Sequence, residues 1–553
     1  MKAKSLRKAL CVLLAGAMAF GVTACGGGGK KNEGGSGEKV KADEQVLRLS
    51  ISSEPTILDP FQIQDDTAYN ISYAVTEPLF RISGEDGKEW EPGLATDYEV
   101  NEDATVYTVK MREDAKWSDG TPITSEDVVY SFQRAVDPTF ASPKANDYFE
   151  LKNAEAVAKG EMDKSELGVK ALDEHTVEFT LARSIDYFID CLKVPGYAPI
   201  QKKAAEEFKD LYGAEVENMV FSGPFVVKEW VHDNSITLEK NENYWDAENV
   251  TLESIEMSIT SDKNAIQGMY ESGDLDIRRI GAEEIAKYEG TPELRTVPRL
   301  GVSFIEFNPR IEFLNNIKIR EALSIAFDRQ AYAENVIKNK KLAAYGMVPY
   351  GIRGVEGKDF REQQGDLVKD SATDPDAISK AKKLLEEGLA ELGKTQKEME
   401  DFLQIYCVDS EGSKLQAQAV QAMWKDNLGL EIAVSPMQVK MLIPMLVEGT
   451  FHCVIGGSNV ASYPDASEFF SFIYDEGKMD DPEFISLWEK QMSQIGEERI
   501  KTLQEIEKLV LDKYVYIPQN FVENDYAVSE NVEGLSIWPF GAEYDFKHVV
   551  KMQ

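Results

Sequence analysis

The sequence predicts a mixed α/β (α+β) fold, because strand-like and helix-like segments are interspersed along its 553 residues. Hydrophobic residues make up 43% of the chain and aromatic residues 10%, which is enough to build buried cores and excludes wholesale disorder. At roughly 150 residues per domain, the length predicts about three or four domains. No internal repeat with a period of about 20–50 residues is present.

The individual elements follow from the spacing of apolar residues. Alternation of apolar and polar residues predicts strands at 46–51 and 104–111. A helix is predicted at 128–135, with Thr124 or Ser125 as its cap and acids in its first turn. Further strands are predicted at 176–181, 225–230, 235–239 and 252–259. Further helices are predicted at 264–272, 317–329, 377–392, 414–427 and 499–514.

The beginning of the chain has the pattern of a secretion signal. A basic start at 2–8 precedes a stretch without charge at 9–24. That stretch is short for a membrane span of about 20 residues but typical of a signal-peptide core. Residues 22–25, which read Val-Thr-Ala-Cys, resemble the lipobox of bacterial lipoproteins, where the chain is cut just before a lipidated cysteine.

We therefore predict a lipoprotein signal peptide at 1–24, followed by a lipidated Cys25. Residues 25–44 contain repeated glycines that cannot bury apolar surface, so this segment is predicted to be a flexible tether. A plain secretory signal with an incidental cysteine is the alternative interpretation.

The charge and the missing motifs disfavour several classes of function. Asp and Glu number 97 against 60 Lys and Arg, and a net charge of −37 repels the phosphate backbone of nucleic acids. No nucleophile-elbow, zinc-protease or phosphate-loop motif is present, and the 4 histidines lie far apart in sequence. We therefore expect no enzyme activity, no metal site and no cofactor.

The cysteines do not predict a disulfide framework. Cys11 would be lost with the signal peptide and Cys25 would be lipidated, which leaves Cys191, Cys407 and Cys453. These three allow at most one disulfide, and a chain of this length does not need one to be stable. We expect isolated buried thiols.

Blocks of residues along most of the chain resemble one family, in the same order. They lie at 53–60, 77–80, 117–131, 222–230, 238–245, 319–329 and 463–465. The block at 117–131 is the most specific. The sequence is similar to the peptide-binding lipoproteins of ABC importers, which are the bacterial extracellular solute-binding proteins of family 5.

This resemblance implies a fold of the periplasmic-binding-protein type, with two lobes, an extra subdomain on lobe I and a ligand cleft between the lobes. The chain would cross between the lobes twice. The implied boundaries are 45–85, 210–305 and 525–553 for lobe I, 86–209 for the subdomain and 306–524 for lobe II.

The resemblance also implies where a ligand would lie. Peptide binders of this family hold the ligand main chain in extended form, much as an added strand is held. Two adjacent glycines, Gly456 and Gly457, permit close approach of a backbone. The residues expected to bind the ligand are Gln64, Asp65, Asp66 and Thr67 in lobe I, and Gly457, Ser458, Asn459, Val460, Ala461, Ser462, Tyr463 and Asp465 in lobe II.

Ser462 departs from the pattern of the family. The residue before the motif's Tyr463 is often an Asp that pairs with the α-ammonium of the peptide, and a serine hydroxyl cannot neutralise a buried ammonium. Either another acid, Asp465 or Asp66, takes this role, or the ligand has no free amino terminus at that point. We favour the substitute acid. The alternative for Asp465 is that it caps a helix over 467–473.

Together these inferences predict a monomeric receptor held on the outer face of the cell membrane by a lipid anchor. It would capture oligopeptides by closure of its lobes and deliver them to the permease subunits of an ABC importer, and a Gram-positive source is favoured. Two alternatives stay open. The same scaffold could hold an oligosaccharide or another non-peptide solute, which stacking aromatic residues in the cleft would indicate. A catalytic site or a broad apolar patch would instead indicate a lipoprotein hydrolase or an adhesin.

Overall fold

Strands and helices alternate along the chain, as the periodicity predicts. The computed structural model describes residues 40–84, 87–369 and 372–553, so the predictions for the signal peptide, for Cys25 and for the tether before residue 40 lie outside the described residues. The strands are β1 (Val46–Ile51), β2 (Phe80–Ser83), β3 (Glu89–Pro92), β4 (Ala95–Val100), β5 (Val106–Met111), β6 (Val169–Asp173), β7 (Thr176–Thr180), β8 (Phe225–Val231), β9 (Ser235–Lys240), β10 (Ser254–Ile259), β11 (Ile277–Ile280), β12 (Leu294–Phe307), β13 (Gln404–Val408), β14 (Ala433–Met437), β15 (Cys453–Val460), β16 (Tyr516–Val528), β17 (Val532–Glu533), β18 (Ser536–Ile537), β19 (Tyr544–Asp545) and β20 (Val550–Lys551). The helices are α1 (Asp66–Val75), α2 (Ser125–Ala135), α3 (Ala154–Ala158), α4 (Phe188–Cys191), α5 (Lys202–Phe208), α6 (Lys263–Ser272), α7 (Ile285–Tyr288), α8 (Glu312–Asn315), α9 (Ile317–Ile325), α10 (Arg329–Asn335), α11 (Phe360–Gln364), α12 (Pro375–Leu392), α13 (Gln396–Phe402), α14 (Glu411–Leu428), α15 (Val439–Glu448), α16 (Ser471–Asp475), α17 (Pro482–Met492) and α18 (Gly496–Asp512).

Two long antiparallel strands, β12 and β16, join two half-sheets into one sheet of ten strands. The strand order is β14-β13-β15-β12-β16-β11-β1-β10-β9-β8. We refer to the side with β13–β15 and helices α8–α18 as lobe II, and to the side with β1 and β8–β11 as lobe I. The end of β12 pairs with β15 of lobe II, whereas the end of β16 pairs with β11 of lobe I. Each crossing strand therefore belongs to both lobes.

The ladder between the crossing strands is interrupted near its middle. Its register shifts between Pro298 and Val302 and again between Ser303 and Phe304. Such irregularities bend a strand and increase its twist. The two half-sheets therefore meet at a bend, and the candidate site lies at this bend.

A separate sheet of four strands, β4-β5-β7-β6, forms the subdomain of lobe I. Its core contains Trp117, Phe132 and Phe179, all nearly inaccessible to solvent. At the start of α2, the Thr124 N–H donates to the Asp127 carboxylate at 3.1 Å, and the two residues form a capping box. Thr124 is thus the cap of this helix.

The helix predicted at 317–329 is wrong in its extent, because the chain forms two helices there. α9 ends at Ile325, and the Asp328 side chain accepts from the Ala331 N–H to begin α10. Sequence periodicity missed this break because apolar residues continue through it. The strand predicted at 104–111 begins later, at Val106, since Ala104 has a positive φ of 49° in the preceding turn.

Other predictions agree with the structure. The strands at 46–51, 176–181 and 225–230 are present within one residue at each end, and Gly273 ends α6 in a left-handed conformation. Cys191, Cys407 and Cys453 are free and buried, as expected. The boundaries implied for the lobes put the two changes of lobe inside β12 and β16; these boundaries stay a prediction. In the described residues, no helix is long and apolar enough to cross a membrane.

Candidate functional site

A cavity of about 940 Å³ lies between the two lobes, at the bend of the crossing strands. Lobe I contributes the end of β1 and the start of α1, and lobe II contributes the end of β15. The crossing strands contribute Arg299, Ser303, Val522 and Asn524. Segments that are far apart in sequence thus form one concave site, the usual form of a small-ligand site.

The four residues predicted in lobe I all line this cavity. They are Gln64, Asp65, Asp66 and Thr67. Asp65 caps α1, since its carboxylate accepts from the Ala68 N–H at 2.8 Å and from the Thr56 hydroxyl at 2.7 Å. Asp66 follows in the first turn of α1, where the helix dipole favours a negative charge, and its side chain is exposed to the cavity. Of the two carboxylates, Asp66 is therefore the more available to a ligand.

The residues predicted in lobe II divide into two groups. Those that line the cavity are Ser458, Asn459, Val460, Ala461 and Ser462. Gly457, Tyr463 and Asp465 are not in the cavity wall. Gly457 packs against the ring of Phe304, where an added Cβ would lie 3.0 Å from the ring, so the absence of a side chain there makes room for the core.

Asp465 is already neutralised by a neighbouring cation. The guanidinium of Arg499 donates to both of its carboxylate oxygens at 2.8 Å, and Asp465 also accepts from the Ser467 N–H at 2.9 Å. Burial opposes the ionisation of Asp465, but Arg499 outweighs burial and holds the pKa of Asp465 below its usual value. Asp465 caps a 3-10 turn at Ala466–Phe469, which precedes α16. It is poorly suited to pair with a ligand ammonium.

The same arginine belongs to a contact between lobe II and the subdomain. Arg499 lies over the ring of Tyr187, 4.6 Å from its centroid, and Tyr187 stacks on Tyr463 with ring centroids 5.3 Å apart. Beside them the Gly496 N–H donates to the Asp186 carboxylate at 2.8 Å. These contacts bridge the two bodies next to the cavity, so an opening of the cleft at this point would break them.

Glu468 lies beside Ser462 and was missed by the sequence analysis. Its carboxylate accepts from the Ser462 N–H at 3.0 Å. Burial raises the pKa of Glu468 to about 7, and the nearby acids Asp147 and Asp465 act in the same direction. Asp147 comes from the subdomain, so this electrostatic repulsion acts between the two bodies.

The C-terminal segment forms another wall that the sequence analysis did not foresee. The Glu543 N–H donates to the side-chain oxygen of Asn70 at 2.6 Å, next to the cavity-lining residues Gly541, Tyr544 and Phe546. The segment is fixed by a buried ion pair in which Arg81 donates to Asp545 at 2.8 Å. These partners are more than 460 residues apart, and no local pattern marks them.

The end of β15 has main-chain groups that are not bonded to β12. The Ala461 N–H donates to the carbonyl of Leu300 at 2.8 Å, and Asn459 pairs with the same strand two residues earlier. In an antiparallel ladder alternate residues bond to the partner, so the N–H and C=O groups of Ser458 and Val460 point away from β12. In the part of the chain that the structure describes, β13 covers that side of β15 only near its beginning.

Among the described residues, no group of three or more His, Cys, Asp and Glu side chains is arranged to hold a metal ion. The cavity instead offers hydroxyl, amide and main-chain groups, together with charged side chains of both signs. Such a set can bind a polar, extended ligand without reacting with it.

We expect Glu468 to make the folded protein less stable as the pH rises from about 4.5 to about 7. Because its pKa is higher in the folded than in the unfolded chain, protonation favours the folded state below this range, and the contribution is lost as the carboxyl ionises. The loss should be roughly 1–3 kcal/mol in the free energy of unfolding. Glu468→Gln keeps an acceptor for Ser462 but cannot ionise.

Thermal unfolding of both proteins below, within and above this pH window measures the effect. The melting temperature of Glu468→Gln should vary less with pH than that of the wild type. Parallel pH profiles would contradict the assignment of this titration to Glu468.

Comparison with known proteins identifies the family. The family described as bacterial extracellular solute-binding proteins, family 5 (middle region), matches residues 89–481. The dipeptide-binding protein DppE of Bacillus subtilis is 29% identical over 545 residues, which is 97% of this chain and 98% of that protein. The periplasmic oligopeptide-binding protein OppA of Salmonella typhimurium is 33% identical over 439 residues, which is 78% of this chain and 77% of that protein.

The fold is also found in solved structures. The structure of Listeria monocytogenes OppA bound to peptide superposes with a TM-score of 0.80 at 26% identity, covering 93% of this chain and 100% of that one. These matches confirm both the resemblance noted from the sequence and the two-lobed fold with its cleft. The chain belongs to the bacterial extracellular solute-binding proteins of family 5.

Proposed function

We propose that this protein captures peptides between its lobes and presents them to the permease subunits of an ABC importer. The observation that carries the proposal is the cavity of about 940 Å³, whose walls come from both lobes and from both crossing strands. A ligand held there contacts both lobes at once, so its binding favours the closed arrangement. The names of the relatives, which describe binding of dipeptides and oligopeptides, support the same solute class.

The unpaired side of β15 supports recognition through the ligand main chain. The N–H and C=O groups of Ser458 and Val460 have the spacing of a strand and could pair with an extended peptide as with an added strand. Main-chain pairing gives affinity without reading each side chain, and this suits a receptor for peptides of varied sequence.

The polarity of the cavity favours a peptide over an oligosaccharide. The aromatic side chains in its wall are Tyr69, Tyr544 and Phe546. The acidic and basic side chains in the cavity wall are Asp65, Asp66, Lys144, Arg279, Arg299 and Glu543. Sugar sites rely on stacking faces, whereas charged groups suit the ends and side chains of a peptide.

With Asp465 neutralised by Arg499, we assign Asp66 as the acid that faces a ligand ammonium.

We further propose that the mature chain is a monomer that begins at Cys25, with a lipid attached to that residue, and that residues 25–44 tether the lobes to the outer face of the cell membrane. The support for the anchor and the tether is the sequence alone: a charge-free stretch, small residues before Cys25 and a glycine-rich segment after it. No catalytic role is assigned to any residue.

The main-chain proposal predicts that Val460→Pro weakens peptide binding about three- to tenfold. Proline removes the Val460 N–H, which is not needed for the ladder with β12, and half-exposed edge positions tolerate proline. Val460→Ala is the matched control, because it truncates the side chain and keeps the N–H.

Calorimetry with tri-, tetra- and penta-alanine would measure both variants, after thermal unfolding has established that they fold equally well. Equal peptide affinity of Val460→Pro and Val460→Ala would exclude main-chain pairing at this residue. Failure of the wild type to bind any peptide would overturn the proposed function itself.

The anchoring proposal predicts that Cys25→Ala abolishes lipid attachment. The variant should be released into the medium or should keep its signal peptide, because cleavage of a lipoprotein precursor depends on that cysteine. Mass spectrometry of the membrane and medium fractions distinguishes these forms. A Cys25→Ala protein that is processed normally and stays in the membrane fraction would rule out the anchor.

A further inference from the structure

Arg279 faces the cavity, whereas its neighbour Arg278 does not. Both lie on β11, and successive residues of a strand point to opposite faces. Arg278 is buried and donates to Glu284 at 2.5 Å. Arg279 lies in the cavity wall, where it donates to the side-chain oxygen of Asn524. The buried arginine thus has an acidic partner, and the cavity arginine has a neutral one.

Arg299 is a second guanidinium in the same wall. It lies on β12 in the interruption of the ladder between Pro298 and Val302, and irregularities of this kind redirect a side chain. Its guanidinium donates to the carbonyl oxygens of Trp538 at 2.9 Å and Gly541 at 3.5 Å. In the described part of the chain, no carboxylate oxygen lies within 4.0 Å of Arg279 or Arg299.

Glu543 is the acid that lines the same part of the cavity, and neutral donors hold it. Its carboxylate accepts from the hydroxyl of Tyr526 and from the amide of Asn524 at 3.1 Å. Asn524 therefore lies between the two charges, receiving a hydrogen bond from Arg279 and donating one to Glu543. Within this group two cations face one anion, Glu543; the other acids of the cavity wall, Asp65 and Asp66, lie at the start of α1.

Arg299 is also anchored close to Ser462. The Gly541 N–H donates to the carbonyl of Ala461 at 3.4 Å, so the residue that accepts from Arg299 touches the chain next to Ser462. Ser462 itself is neutral. The acid beside it is Glu468, whose pKa burial raises to about 7, so its charge offsets the two guanidinium groups only in part and they still suit a negative ligand group.

We propose that Arg279 and Arg299 form a subsite for a carboxylate of the bound peptide. A guanidinium presents paired donors that match the two oxygens of a carboxylate, and such a pair becomes stronger when the closing lobes exclude water from it. The carboxylate comes from the peptide C-terminus or from an acidic side chain. This inference rests on the proposed peptide-binding function. It adds that the cavity selects peptides with a negatively charged group at this position.

Two pairs of peptides test the subsite and distinguish the sources of the carboxylate. Penta-alanine is compared with its C-terminal amide, and Ala-Ala-Glu-Ala-Ala amide is compared with Ala-Ala-Gln-Ala-Ala amide. In wild-type protein, calorimetry should give at least about tenfold tighter binding for the acid member of one pair. The pair that discriminates identifies the source of the carboxylate.

The variants Arg279→Gln, Arg299→Gln and Arg299→Lys separate ligand binding from support of the fold. The Gln variants should reduce the ratio of acid to amide affinity towards one, and Arg299→Lys should restore part of it, since the charge returns. A merely structural arginine would weaken both members of a pair equally and leave the ratio unchanged. Arg48→Gln is the matched control, because Arg48 lies outside the cavity wall and pairs with Glu44 and Glu256.

The outcomes separate the two proposals. If acid and amide peptides bind the wild type equally well, the carboxylate subsite is wrong while the peptide-binding function stands. An unchanged acid-to-amide ratio in both Gln variants also excludes these arginines. Absence of binding by all four peptides would overturn the proposed function and this inference with it.

Discussion

The antiparallel ladder between β12 and β16 is the constraint on which the rest of the molecule depends. Both strands are shared by the two half-sheets, so each lobe is built outward from the same pair. Two connections limit the relative motion of the lobes to bending about a common line. The irregular ladder near Pro298 and Ser303 lies on that line, and the cavity walls include side chains from both strands. The fit of a ligand in the cavity therefore depends directly on the angle between the lobes.

Where lobe II meets the subdomain, some contacts favour the closed arrangement and others oppose it. Arg499, Asp465, Tyr187 and Tyr463 form a packed and charge-balanced contact across it. Acids on the same interface oppose closure, because burial raises the pKa of Glu468 to about 7 and, with Glu150 and neighbouring acids, that of Asp475 to about 6. A closed arrangement that one strong contact favours and neighbouring acids oppose is one that a ligand can stabilise by a modest binding energy.

Local sequence patterns were sufficient to predict part of the fold and part of the candidate site. Strong periodicity gave α12 and α14, and the resemblance gave the segments on both walls of the cavity, including Asp66 and Ser462. The break between α9 and α10 was missed, since one capping Asp within an apolar run looks like any exposed acid. Arg279 and Arg299 meet the segment of Glu543 through tertiary contacts between residues more than 200 positions apart, and Asp465 meets Arg499 through helix packing. Single-sequence patterns contain neither kind of information.

The most direct test of the central claim, that an extended peptide bridges both lobes at the crossing strands, is hydrogen–deuterium exchange with and without a saturating peptide. Amides at 458–462 in lobe II and at 64–71 in lobe I should both exchange more slowly when the peptide is bound, because each wall contacts the ligand and the closing cleft excludes water. Slower exchange in one wall alone, or unchanged exchange in both at saturation, would contradict the account.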